Sequence, residues 1–133
     1  MSRPFLSTAA AATLSLAAAF PATAQQITVK AETQSGGAGI ALKAMAGSKH
    51  VGNMIVNCDR TPGFASFYKT GTPTAIKIQD GEAREMTLAS DSPIFESKPT
   101  PMPSDLDPAK LCVAGRPDVP AAKAALLARL AKD

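Results

Sequence analysis

Between Gln26 and Thr33 the stretch QITVKAET alternates without a break: Ile27, Val29, Ala31 and Thr33 on one side, Gln26, Thr28, Lys30 and Glu32 on the other. Successive strand side chains point to opposite faces, so this period predicts a half-buried strand. The glycine-rich QSGGAG interrupts it. The following IALKAMAG is rich in helix formers and closed by Gly47, which predicts a short helix over 38–47, although Ile40, Leu42 and Ala44 also fit a strand. NMIVNC is a continuous apolar run that ends at the turn residues Asp59 to Gly63, as a buried strand would.

The next stretch, GFASFYK, holds three of the four aromatics that follow residue 24. As a strand it sets Phe64, Ser66 and Tyr68 on one face and Ala65, Phe67 and Lys69 on the other. Phe67 is then the core residue, and Phe64 and Tyr68 face away from it. TAIKIQDGEAREMTLA contains Asp80-Gly81, a strong hairpin signal. A two-residue loop would set Ile76 opposite Glu85 and strand Met86 and Leu88 on the wrong side. A three-residue loop is therefore expected, pairing Ile76 with Met86 and Lys77 with Glu85. The competing reading makes EAREMTLA (residues 82–89) helical.

Seven of the eleven prolines lie between Pro93 and Pro120, which predicts an extended segment that is mostly loop. Asp107-Pro108 is a cap followed by a favoured first helical residue, starting a single turn that stops near Gly115. Asp118 then caps a C-terminal helix, DVPAAKAALLARLAKD, with Val119, Ala122, Leu126, Leu127 and Leu130 on one face and Lys123 inside that face near its start, its stem along apolar surface and its ammonium in water. Docking of that face on the sheet is expected; the alternative is a free basic amphipathic helix at a membrane surface. The fold class is therefore α+β: a mainly antiparallel β-sheet of four to six strands with a C-terminal helix packed on it.

The first 24 residues change the picture of where this domain works. One cation, Arg3, precedes an Ala/Leu-rich apolar stretch that ends in Ala22-Thr23-Ala24, the pattern of a cleaved signal peptide. The stretch is too short and too Ala-rich for a membrane span, and no second candidate follows. The expected product is a single exported domain over 25–133, periplasmic or secreted, with a bacterial type of leader. In such a compartment Cys58 and Cys112 should form a disulfide, and at roughly 110 residues the domain has a core modest enough to need one. Without Arg3 the net charge of +3 falls to about +2, with Lys and Arg interspersed among carboxylates, so no nucleic-acid partner is expected.

No stretch matches a specific catalytic or cofactor motif. Ser66 to Lys69 fits S-x-x-K and Lys69 to Gly71 fits K-T-G, but the two share one lysine and the chain is too short for the enzymes that use them. The one histidine, His50, reads as a solvated turn residue. Met45, His50 and Met54 offer soft ligands of the kind copper takes, yet the methionines serve equally as core fillers, so no metal is expected. Asp80 and Glu82, or Asp105 and Asp107, sit at turns and caps, and no EF-hand spacing is present. The candidate binding residues are Phe64, Tyr68 and Lys69, the aromatics being of the type enriched at interface anchors. The expected function is a non-enzymatic exported module acting on a protein partner, as an inhibitor, immunity-type protein or accessory subunit, without a cofactor. The alternatives are a carrier of a small apolar ligand or metal and, behind it, a small hydrolase using Lys69 or His50.

Overall fold

The structure is a computed structural model that describes residues 26–88 and 95–132. The expected leader over 1–24 and Pro93 lie outside the described residues. Seven strands follow one another as a meander: β1 (Ile27–Gln34), β2 (Gly39–Ala46), β3 (Lys49–Asn57), β4 (Phe64–Lys69), β5 (Thr74–Gln79), β6 (Glu82–Leu88) and β7 (Phe95–Pro99). They form one antiparallel sheet in sequence order, with β1 and β7 at its edges. Among the described residues two short helices follow the sheet, α1 (Pro108–Leu111) and α2 (Val119–Leu130), with a two-stranded ribbon of β8 (Cys112–Val113) and β9 (Arg116–Pro117) between them.

One face of the sheet carries the core. Ile40, Leu42 and Ala44 of β2, Met54 and Val56 of β3, Ala65 and Phe67 of β4, Ile78 of β5 and Ala83 of β6 are all buried on it. Helix α2 lies over β2 and β3 and adds Ala122, Ala125 and Leu126. Leu106, in a 3-10 turn, and Leu111 of α1 extend the cover. As expected, Asp107 Oδ1 accepts from Ala109 N–H at 2.9 Å and Asp118 Oδ1 from Ala121 N–H at 3.2 Å, capping the two helices. The Cys58–Cys112 disulfide ties the residue after β3 to the first residue of β8. No helix among the described residues is long and apolar enough to cross a membrane.

Several expectations are corrected. The sheet has seven strands rather than four to six. The stretch 38–47 holds strand β2 (Gly39–Ala46) and no helix, because every second residue from Ile40 to Ala46 is buried against α2 and the neighbouring strands. Tertiary burial overrides the helix-forming composition. The Asp80-Gly81 loop has two residues, flanked by the pair Gln79 and Glu82, with Ile78 opposite Ala83 and Ile76 opposite Glu85. Both loop residues have positive φ, 52° and 78°, the backbone of a turn whose twist matches that of the strands. Met86 consequently lies on the face away from the core, and Lys77 meets Arg84 instead of Glu85, which bridges to Lys98 at 3.5 Å. The Leu88 side chain lies outside the described residues. The helical alternative for 82–89 fails over Glu82–Leu88, which are strand. The proline-rich segment is not all loop, since Pro99 ends edge strand β7, where a missing N–H leaves no ladder bond unmade. On α2, Leu127 is 40% exposed and Ala125 takes the buried place expected for it.

Candidate functional site

All fully buried side chains of strands β2 to β6 belong to the core face. Among the described residues, none of the side chains that point to the other face is fully buried. This outer face is built by register. One row runs Glu32, Ala41, Ile55, Ser66, Lys77, Arg84 across β1 to β6, and the next runs Lys30, Lys43, Asn53, Tyr68, Ala75, Met86. Phe64 stands beside Asn57 at one end. Ile55 is 38% exposed at the centre. It forms a shared wall of two depressions. One, of about 510 Å³, is lined by Lys30, Glu32, Ala41, Lys43 and Asn53. The other, of about 320 Å³, is lined by Phe64, Asn57, Pro62, Arg60 and Asp80. Phe64 and Tyr68 are thus brought together on one surface, as their strand phase predicts, while Phe67 is buried behind them. Ile55 was concealed in the sequence by its place in the apolar run NMIVNC, which reads as wholly buried.

The electrostatics of this face have a feature that no local stretch reveals. Lys30 is the direct cross-strand partner of Lys43, and Lys77 of Arg84. Side chains so placed stand about 4.5–5.5 Å apart at Cβ, and like charges there oppose strand pairing. Arg84 is partly answered by Glu82 at 3.3 Å and donates to Ser97. Among the described residues, no carboxylate lies within salt-bridge distance of Lys30, Lys43 or Lys77.

Lys69 is not part of this surface. Its position on β4 faces the helix side, where Nζ donates to the Lys132 carbonyl at 2.9 Å beyond the end of α2. His50 is a half-buried residue of β3, not a solvated turn residue. Its Nε2 lies 3.0 Å from the Gly52 carbonyl, which can only accept, so Nδ1 is left to accept from Thr70 Oγ1 at 3.4 Å. A shallow cleft of about 420 Å³ lies here, between Lys49, His50 and Lys69 on the sheet and Leu127 and Leu130 on α2. The partners found for the His50 ring are thus a backbone carbonyl and a threonine hydroxyl, and neither is a carboxylate. Ser66 and Lys69 lie on opposite faces of β4, so the S-x-x-K pattern converges on nothing. Met45 is the cross-strand partner of His50, but Met54 is fully buried on the core face while Met45 points the other way, so the three do not converge on one site.

One ion pair is built for structure. Arg129 Nε and Nη2 donate to the two Asp105 carboxylate oxygens at 2.8 and 2.9 Å, joining α2 to the 3-10 turn that carries Leu106. These hydrogen bonds hold the Asp105 carboxyl below its ordinary range, outweighing the opposite effect of its partial burial.

No protein-family model, curated protein or solved structure matches this chain, so the outer face of the sheet stands as the candidate site on its own geometry.

Proposed function

We propose that this chain is a non-enzymatic binding module, exported by its N-terminal leader, that docks on a protein partner through the outer face of its sheet as an inhibitor, immunity-type protein or accessory subunit. The observation that carries this reading is Ile55, exposed at the centre of a face that also presents Phe64 and Tyr68 and that no described element covers. Aromatic side chains beside an exposed apolar centre are the composition of an interface core. The disulfide is consistent with an oxidising compartment.

The test compares partners retained from the exported fraction by the wild-type protein and by the Ile55→Ser and Tyr68→Ala variants. A partner identified by mass that is held by the wild type, and whose affinity for each variant drops by about 2 kcal/mol or roughly thirtyfold, supports the docking face. Unchanged affinity in both variants rejects it.

A second reading, a carrier of a small apolar ligand, draws on the cleft beside His50, whose volume of about 420 Å³ and apolar wall of Ile27, Val51, Leu127 and Leu130 suit a small ligand. Native mass spectrometry of protein taken from its own compartment separates the two: a stoichiometric small ligand favours the carrier, and a protein complex favours the module.

A further inference from the structure

We infer that the partner segment received by the outer face is an acidic polypeptide, carrying carboxylates on both sides of an apolar side chain that seats against Ile55. This rests on the docking-face reading above and adds the chemistry of what docks. The observation is the placement of two like-charged cross-strand pairs, Lys30 with Lys43 and Lys77 with Arg84, on the same face. Each opposes the strand pairing that holds it, the second offset in part by Glu82 at 3.3 Å from Arg84 and the first flanked on its face by Glu32 without an ion pair, so an anion placed between the members relieves the repulsion that remains in the free protein. Strands β3 and β4 separate the two pairs and present neutral side chains between them, including Ile55 and Tyr68. Four strand spacings amount to about 19 Å, which an extended chain covers in about six residues. The repeat of charge, apolar centre and charge therefore matches a short peptide segment.

Other anionic occupants fit less well. A sugar ring stacks on flat aromatic platforms, whereas the central residue here is the aliphatic Ile55. A bilayer takes a cluster of protruding apolar side chains, whereas Ile55 is bordered on its face by the polar Asn53, Asn57 and Ser66. A second copy would bring a face of the same net sign, on which the cations Lys30, Lys43, Lys77 and Arg84 outnumber the carboxylates Glu32 and Glu82.

The experiment titrates the purified protein with four probes: a random glutamate–tyrosine copolymer, polyglutamate, heparin, and vesicles containing phosphatidylglycerol. The expected result is binding to the copolymer, weaker binding to polyglutamate, and a loss of affinity of about tenfold or more between low and physiological salt. Lys30→Gln/Lys43→Gln and Lys77→Gln should each weaken copolymer binding about tenfold while raising the thermal midpoint by about 1–3 °C, because the repulsion is removed. That opposite movement of binding and stability is not expected of lysines with a purely structural role. Ile55→Ser should weaken copolymer binding without changing its salt dependence. Binding to heparin or vesicles through these lysines, with none to the copolymer, overturns the acidic polypeptide but leaves the docking face standing. Copolymer binding that ignores the lysine variants yet responds to Ile55→Ser does the same. Copolymer binding indifferent to every one of these substitutions overturns both readings.

Discussion

Asp105 and Arg129 form a two-bonded fork, 2.8 and 2.9 Å, that fastens the C-terminal helix to the turn carrying the fully buried Leu106. Because the folded carboxyl titrates below its ordinary value, the pair stabilises the fold at pH values above the unfolded pKa near 4, and this contribution is lost as pH falls through the lower folded pKa. Asp105→Asn should lower stability at neutral pH by about 1–2 kcal/mol and flatten the acid limb of the stability curve. Urea unfolding between about pH 2 and pH 7 checks both. An acid limb as steep in the variant as in the wild type would show that other carboxylates govern it.

The Cys58–Cys112 bridge, with a sequence separation of 54, should leave no alkylatable thiol in the unreduced protein, as read by intact mass. Replacing both cysteines with Ala should lower stability by about 2–5 kcal/mol. Gly63 lies directly beneath this bridge. A Cβ there would stand 2.9 Å from the Asn57 carbonyl and 3.1 Å from Pro108 Cβ, so Gly63→Ala should cost about 1–3 kcal/mol through displaced backbone. Chemical unfolding of the disulfide-intact variant measures it.

Phe67 and Tyr68 are neighbours on opposite faces of β4, and their variants should fail differently. Phe67→Ala should lower stability by about 3–5 kcal/mol through the cavity it leaves. Tyr68→Ala should change stability by less than about 1 kcal/mol, since its face has no packed layer among the described residues. Denaturant midpoints of the two variants decide this, and a larger loss for Tyr68→Ala would mean that the outer face is covered.

Gly81 tests the hairpin. Its φ of 78° is a conformation L side chains rarely adopt, and a Cβ there meets only Pro62 Cγ at 3.7 Å, an ordinary contact. Gly81→Ala should therefore cost about 1 kcal/mol from backbone strain alone, and Asp80→Asn should be close to neutral because Asn suits the same turn. A silent Gly81→Ala in thermal unfolding would argue for the longer loop that the apolar phase suggested.

His50 should be dispensable for chemistry. With a backbone carbonyl and a threonine hydroxyl as the hydrogen-bond partners of its ring, His50→Gln should leave partner affinity within a few-fold of wild type. Calorimetry with the identified partner measures this, and a hundredfold loss in a folded variant would return attention to the cleft beside it.

The features legible in the sequence are those that short-range physics decides. The unbroken alternation of Ile27 to Thr33 marked β1, and the same period in GFASFYK separated Phe67 from Phe64 and Tyr68. The side chains of Asp107 and Asp118 cap their helices by bonding to amides two or three residues away, and Cys58 with Cys112 left a single pairing. The rest follows from contacts between segments distant along the chain. IALKAMAG became a strand because its neighbours β1 and β3 pair with both its edges, a gain that helix propensity cannot anticipate. The hairpin loop is shorter than the apolar phase predicts because Met86 needs no core here: the outer face of the sheet has no described second layer, and Met86 lies there beside Ala75. The same missing layer exposes Ile55. The facing pairs Lys30 with Lys43 and Lys77 with Arg84 come from strand register, and each partner lies seven or more residues away along the chain, beyond the reach of any local pattern.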